Sequence, residues 1–212
     1  RWTLAGKKNL VPGGDEADAF IVPARTSQGI GLFIVACGAA QVRAYPTQDG
    51  ARAADVVLAN APATLIAAEG LPLLERAMDI GVAAVCAEAV GLMDKLLAIT
   101  VEYMNTRKQF GVPIASFQAL RHRVADCKMQ LELARSMSYY ATLKLGEPAA
   151  QRRKAASQAK VQLGQSMRYV SQQCIQLHGG IGVTDEYIAS HYFKRLTMLE
   201  LSFGDTLHHL GE

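Results

Sequence analysis

A short segment of mixed chemistry, RKQFGVPIASFQ at residues 107–118, joins two long stretches of helical pattern. It carries Arg107, Gln109, Phe110 and Gln118 in addition to the Gly and Pro that a turn requires. A guanidinium binds phosphate through paired N–H groups, and amide side chains donate and accept hydrogen bonds. With the aromatic ring as an apolar plate, this combination favours binding of a phosphorylated ligand.

Simpler interpretations of the same residues remain open. Ser116 can cap the following helix, in which case residues 107–118, the first corner, only connect two helices. A second segment, QLHGG at 176–180, is the second corner: it ends a third helical stretch, and a glycine is a common helix stop. Paired glycines such as Gly179 and Gly180 also let a ligand approach the backbone closely, with the amide of Gln176 beside them. Neither segment, taken alone, shows whether its residues bind a ligand or only shape the backbone.

Composition excludes several classes of protein. Among 212 residues, 22 Lys and Arg face 19 Asp and Glu, and this near balance argues against nucleic acid as a partner. The four cysteines lie far apart in the sequence without metal-ligand spacing, so we expect free thiols in a reducing compartment and no metal site. No apolar run approaches the roughly 20 residues of a membrane span. These features predict a cytoplasmic protein.

The residue pattern changes from strand to helix near residue 68. Before it, short β-branched or apolar runs separated by Gly, Pro, Asp and Asn predict an antiparallel sandwich or barrel portion. We predict strands at 17–25, 31–37, 40–46 and 53–60, preceded by a strand pair with a turn near Gly6. From about residue 69, apolar residues recur every three or four positions, which predicts an up-down four-helix bundle. Its helices are predicted at 71–106, from about 117, at roughly 149–178, and as one or two shorter helices between 186 and 210. The fold class is therefore α+β.

The two corners, taken together with VADCKMQLELAR at 124–135 and YFKRLTMLELSFGDT at 192–206, resemble the acyl-CoA dehydrogenase family. The stretch LAGKKNLVPGGDEADAFIVPAR is similar to the middle β domain of that family, so the resemblance covers nearly the whole chain. It implies that residues 1–68 are part of the middle β domain and residues 69–212 the C-terminal helical bundle. It also implies that the N-terminal helical domain of the family is absent from this chain, which is then either a fragment or a shortened subunit.

The resemblance also implies an activity. Members of the family remove an α proton and a β hydride from an acyl-CoA thioester with FAD, and pass the electrons to an electron-transfer flavoprotein. The residues it implies for FAD binding lie in the two corners, the second of them acting from the neighbouring chain: Arg107, Gln109, Phe110 and Gln118, then Gln176, Gly179 and Gly180.

The general base that this reaction needs is missing from both of the family's usual positions. Most members carry a Glu directly before the glycine that is Gly204 here, but this chain has Phe203. A minority place the Glu on the first bundle helix, at the position of Gly81. Asp205 is a low-ranking substitute, because two residues along a helix turn a side chain by about 200°. No catalytic residue is therefore assigned to this chain.

Other polar groups offer no replacement for the base. We expect Glu75, Asp79 and Glu88 to be surface or interhelical charges, and we expect His191, His208 and His209 to be solvated on helices. His178, next to the paired glycines, is expected near the cofactor. In the β part, Pro12 replaces the threonine that the family sets against the flavin ring.

These losses favour a base-less partner in a heteromer. Some family members that act on steroid side-chain CoA thioesters resemble assemblies of two unlike chains, and the FGDT ending followed by HHL is similar to that group. The resemblance thus implies a bacterial chain that helps hold FAD beside a homologous, base-bearing subunit, in a dimer of dimers or heterotetramer. The alternatives are a non-catalytic flavin-binding or scaffold protein of the same fold, and a helical interaction module without flavin.

Overall fold

A computed structural model describes residues 2–212. The chain divides into two compact units, Arg1–Ala77 and Met78–Glu212. The change from strand to helix occurs between Ala67 and Leu71, so the first turns of the first long helix belong to the β unit.

The β unit is an antiparallel sheet organised around one long strand. Its strands are β1 (Trp2–Pro12), β2 (Ala19–Thr26), β3 (Gly29–Ala36), β4 (Gln41–Pro46) and β5 (Arg52–Ala67). β5 pairs with β4 over residues 52–57 and with β1 over residues 53–63, while its last residues, 64–67, pair with β3, which in turn pairs with β2. The inward-facing side chains form its core, which includes Phe20, Val22, Phe33, Val35, Val56 and Leu58.

The expected strand pair at the start of the chain is wrong. Residues Trp2–Pro12 form one continuous strand instead of turning near Gly6. Gly6 adopts a φ of 150°, and the pairing register shifts between Leu4 and Gly6. The glycine therefore accommodates a β-bulge, which bends a strand without reversing it.

The helical unit has the predicted order of elements. The helices are α1 (Leu71–Thr106), α2 (Gln118–Leu143), α3 (Ala149–His178), α4 (Ile188–Leu201) and α5 (Thr206–Leu210). The sequence periodicity predicted the bounds of α1 and α3 correctly. The apolar stripe of α3 is buried along its length: Leu163, Met167, Val170, Cys174 and Leu177.

Two ion pairs join α1 to other helices. Asp79 lies 2.7 Å from Arg152 of α3, and both side chains are nearly buried. Glu88 lies 2.6 Å from Arg195 of α4. Asp79 and Glu88 are therefore interhelical charges, as expected, and each is paired with a cation.

The four cysteines are unpaired, as expected. Cys86, Cys127 and Cys174 are buried and Cys37 is half-buried, and all four are free thiols. Within residues 2–212, no helix is sufficiently long and apolar to cross a membrane.

Two helical glycines have opposite surroundings and give a matched test of packing. A Cβ on Gly164 of α3 would collide with the hydroxyl of Thr206, whereas a Cβ on Gly91 of α1 would meet open space. We predict that Gly164→Ala lowers the free energy of unfolding by about 1–3 kcal/mol through overpacking. Gly91→Ala should raise it by up to about 1 kcal/mol, because Ala favours helix over Gly. Urea unfolding followed by circular dichroism measures both, and shifts in the same direction would contradict the packing described here.

Candidate functional site

The first corner is a tight β-hairpin at the end of α1. Strand β6 (Lys108–Gln109) pairs with strand β7 (Val112–Pro113), and only Phe110 and Gly111 lie between them. Both have positive φ, 54° and 82°, which is the geometry of a two-residue type I′ turn. Phe rarely adopts positive φ, and such strain is often kept where a side chain must be presented. The Phe110 side chain is 91% exposed.

The predicted ligand-binding side chains of this hairpin all face solvent. Arg107, Gln109, Phe110 and Gln118 are exposed. The backbone beneath them is well anchored, because the Arg107 N–H donates to the carbonyl of Tyr103 and the Arg107 carbonyl accepts from the N–H of residue 114, both at 2.8 Å. The corner thus presents a cation, two amides and an aromatic ring on a fixed backbone.

The Ser116 helix cap, one of the interpretations that the sequence leaves open, is not formed. The residue preceding α2 is Phe117, which makes no side-chain cap, and the Ser116 hydroxyl instead donates to the Pro113 carbonyl at 2.6 Å. On the other side of the turn, Arg121 Nε donates to the Ala115 carbonyl at 2.5 Å. Side chains therefore hold the turn between β7 and α2, and they do so through main-chain oxygens.

The second corner is a helix stop at a glycine with positive φ. Gly179, which follows α3, has a φ of 66°, and its N–H donates to carbonyls of the last helical turn. Gly182 is also required, because a Cβ there would lie 2.9 Å from the Cβ of His178 and from the Ile175 carbonyl oxygen. Gly180, by contrast, faces open space. The stop explains Gly179 structurally and leaves Gly180 and the exposed Gln176 at the surface.

One small apolar cluster joins the two corners within a single chain. Met104 near the end of α1, Ile114 after the hairpin and Leu177 near the end of α3 are buried together. Both corners therefore lie at the same end of the helical unit. The action of the second corner from the neighbouring chain, which the resemblance implies, stays a prediction.

The two positions that the resemblance assigns to the base also converge. Phe203 lies in the turn between α4 and α5 with a φ of 57°. A Cβ on Gly81 of α1 would lie 2.6 Å from Cζ of the Phe203 ring. The ring therefore occupies the space beside Gly81, and neither residue offers a carboxylate.

A buried lysine holds this turn in place. Lys160 of α3 is fully buried, and its ammonium donates to the main-chain carbonyls of Glu200 at 2.7 Å and Gly204 at 2.6 Å. Burial lowers the pKa of Lys160, and the nearby Glu200 carboxylate opposes that shift. The two carbonyls flank Phe203, so the bonds fix the backbone that carries this side chain.

A buried histidine makes the third bond to the turn, which corrects the expectation that His209 is solvated. Its Nε2 lies 2.9 Å from the Phe203 carbonyl and therefore donates, while Nδ1 lies 3.0 Å from the Ser157 hydroxyl and accepts in the neutral ring. Burial lowers the pKa of His209. Sequence periodicity indicated neither the bond of His209 to the Phe203 carbonyl nor the bonds of Lys160 to the same turn.

The carboxylates near Phe203 accept hydrogen bonds from the turn and from the start of α5. Glu200 Oε1 accepts from the N–H and the hydroxyl of Thr206, at 3.1 and 2.8 Å. Asp205 caps α5, accepting the N–H of His208 at 2.8 Å. Asp205 is thus a helix cap in this structure. Within residues 2–212, no group of three or more His, Cys, Asp or Glu side chains is placed to hold a metal ion.

Comparison with known proteins gives a consistent family match. Residues 68–210 match the model of the acyl-CoA dehydrogenase C-terminal domain. The short-chain specific acyl-CoA dehydrogenase of Megasphaera elsdenii is 30% identical over 96% of this chain and 57% of its own length.

Two solved structures extend the match to the fold. A Tcur3481–Tcur3483 steroid ACAD variant has a TM-score of 0.89 at 29% identity, covering 99% of this chain and 58% of its own. The ChsE4–ChsE5 complex from Mycobacterium tuberculosis has a TM-score of 0.88 at 27% identity, with the same coverage. This chain therefore spans a little over half the length of these relatives.

The contact between Gly81 and Phe203 can be tested by a double-mutant cycle. We predict that Gly81→Ala lowers the free energy of unfolding by about 1 kcal/mol, because the new methyl group crowds the ring. In a Phe203→Ala background the same change should raise it by up to about 1 kcal/mol, through helix propensity alone. The coupling between the two positions is then about 1–2 kcal/mol. Urea unfolding of the four proteins measures it, with Gly91→Ala as a control that should be equal in both backgrounds.

Proposed function

This chain belongs to the acyl-CoA dehydrogenase family, and from that membership we propose that it is a subunit of an FAD-dependent enzyme that dehydrogenates an acyl-CoA thioester between its α and β carbons. The observation that carries the proposal is the meeting of the Arg107 hairpin and the Gln176–Gly180 helix end on one small apolar cluster. Two segments 58 or more residues apart are thereby brought to one surface.

The residues at this surface fit the nucleotide part of FAD. Arg107 is exposed on an anchored backbone, and its fork of N–H groups suits a pyrophosphate. Gln109, Gln118 and Gln176 are exposed amides that can bind hydroxyl groups or base edges. Phe110 offers an apolar plate, and Gly180 has no side chain to obstruct a ligand. When bound, FAD supplies the acceptor for the β hydride.

The proton acceptor for the α carbon comes, in this proposal, from a homologous partner subunit. Phe203 presents a hydrocarbon ring and Gly81 a hydrogen atom at the two positions where the family carries its Glu. Glu200 and Asp205 are engaged with the backbone of the same turn. This chain therefore contributes FAD-binding surface, and the partner contributes the base.

Two of the similar solved structures support a heteromer. The Tcur3481–Tcur3483 steroid ACAD and the ChsE4–ChsE5 complex each combine two named proteins. By analogy, the substrate class is a CoA thioester with a bulky, steroid-type acyl group, in an assembly of four chains. Electrons would leave through an electron-transfer flavoprotein, and the enzyme would work in the bacterial cytoplasm.

FAD retention tests the cofactor surface. In the complex with a base-bearing homologous subunit, Arg107→Ala should weaken FAD binding by about 1.5–3 kcal/mol, or roughly 10- to 150-fold, through loss of a charge-assisted contact. The FAD affinity of Arg107→Lys should lie between those of the wild type and Arg107→Ala, because lysine keeps the positive charge but lacks the paired N–H groups of the guanidinium. Lys108→Ala, which removes a neighbouring cation of the same hairpin, is the matched control. Visible absorption after gel filtration measures bound flavin, and equal loss in the control would remove Arg107 from the site.

Acyl-CoA turnover tests the origin of the base. We predict no turnover by this chain alone, turnover by the co-expressed pair, and loss of turnover when the partner's candidate base is changed from Glu to Gln. Dye reduction by acyl-CoA measures the reaction, with flavin content recorded for every sample. Turnover by a flavin-loaded homo-oligomer of this chain would contradict the base-less role. Bound flavin without turnover in any pairing would favour a flavin-binding scaffold.

A further inference from the structure

Within residues 2–212, His178, the last residue of α3, contains a buried nitrogen atom without a hydrogen-bond partner. The side chain is 3% exposed, and its Nδ1 lies 2.8 Å from the carbonyl of Cys174. A carbonyl only accepts, so Nδ1 carries the proton and Nε2 of the neutral ring has a bare lone pair. Within residues 2–212, Nε2 is buried and has no hydrogen-bond partner. An unpaired buried acceptor lowers the stability of the fold by about 1–3 kcal/mol. The His178 ring must therefore make favourable contacts with other groups.

The ring packs against two tyrosines from other elements, Tyr103 and Tyr187, whose own ring centroids are 6.2 Å apart. Its centroid is 4.7 Å from that of Tyr103 in α1 and 5.0 Å from that of Tyr187, the residue before α4. Offset and tilted aromatic pairs at such distances are favourable by about 0.5–1.5 kcal/mol each. These contacts offset the unpaired nitrogen.

Both corners of the candidate site rest on this ring. The carbonyl of Tyr103 accepts the N–H of Arg107, so the tyrosine is one helical turn from the hairpin. On the other side, Gly182 lacks the Cβ that would lie 2.9 Å from the Cβ of His178, so the turn after Gly179 packs closely on the same residue. Moving or charging the imidazole would disturb both segments together.

We propose that neutral His178 is a positioning residue for the nucleotide site, holding the Arg107 hairpin and the Gln176–Gly180 helix end in register through its contacts with Tyr103 and Tyr187. The proposal rests on the proposed function for the identity of the nucleotide. His178 itself is buried, and it acts on the ligand through the exposed residues on either side.

Protonation gives the proposal a distinctive signature. Burial lowers the pKa of His178, and the bond to the Cys174 carbonyl only partly opposes this. Titratable groups that contact the ring are the phenols of Tyr103 and Tyr187, and the Glu102 carboxylate acts electrostatically on Tyr187. Burial raises the pKa of Tyr187, so that phenol stays neutral near pH 7.

The sign of the pH effect follows from the lowered pKa. An opened conformation, with His178 in water, takes up a proton near the ordinary pKa of about 6.5, before the packed conformation does. The packed arrangement is therefore fully stable above about pH 6.5 and loses stability as the pH falls towards the lowered pKa. At about pH 5.5 the loss is at most about tenfold in the opening equilibrium.

Hydrogen exchange tests the coupling without a ligand. In the wild type, corrected protection of segments 103–118 and 176–187 should fall together, by up to about tenfold, between about pH 7.5 and 5.5. His178→Phe keeps an aromatic ring and cannot titrate, so its protection should not change with pH. His178→Ala should show low protection at both pH values. His122→Gln, at an exposed position of α2, is the matched control and should behave as the wild type.

FAD binding by the complex with the homologous subunit supplies the second readout. Affinity should fall by up to about tenfold over the same pH range in the wild type and the His122→Gln variant, and stay constant in His178→Phe. If FAD binds and His178→Phe keeps the wild-type pH dependence, the positioning role is wrong while the proposed function stands. If the two segments respond as expected but FAD binds at no pH, the coupling is correct and the proposed function is wrong. NMR titration of the His178 ring in the wild type needs no variant, and a pKa at or above about 6.5 would overturn the proposal.

Discussion

Three apolar side chains, Met104, Ile114 and Leu177, join the ends of α1 and α3, and the candidate nucleotide site depends on this contact. In an up-down bundle the first and third helices run in the same direction, so their C-terminal ends necessarily meet at one end. Burying a side chain of this size contributes about 1.5–3 kcal/mol, which is enough to fix two helix ends but small against a whole core. Bundle topology thus brings the corners near each other, and a few local contacts set their register.

The turn that carries Phe203 is stabilised by hydrogen bonds from buried polar side chains instead of by apolar contacts. Lys160 and His209 bind main-chain carbonyls of the turn and its flanks, so the clamp does not depend on the side chain at position 203. An ammonium taken out of water is costly unless its donors are paired, which makes the bonded turn the favourable arrangement for Lys160. A carboxylate can therefore be replaced by a ring at this position without dismantling the turn, provided that Gly81 leaves room for it.

Periodic features of this chain could be predicted from the sequence, and individual polar contacts could not. The bounds of α1 and α3 follow from uninterrupted apolar spacing between Pro and Gly signals. The first strand was mistaken for a hairpin because a glycine such as Gly6 serves a bulge as well as a turn. Lys160 does fall within the apolar stripe of α3, which was a usable sign of burial, but its acceptors belong to a turn 40 residues later. Similarly, no local pattern distinguishes a Ser116 that caps a helix from one that binds the preceding carbonyl.

Long helices separate the two functional regions of the helical unit. Along α1, Gly81 and Arg107 are 26 residues apart, or about 39 Å at the helical rise, and along α3, Lys160 and His178 are separated by about 27 Å. Lys160 and His209 fix the backbone at Phe203, whereas Met104, Ile114 and Leu177 fix the hairpin, so different residues of the same helices serve the two ends. A substitution at the Gly81–Phe203 end therefore need not disturb the candidate nucleotide site at the other end. In the proposed heteromer, this separation lets the chain keep the nucleotide-binding end while the partner subunit supplies the base.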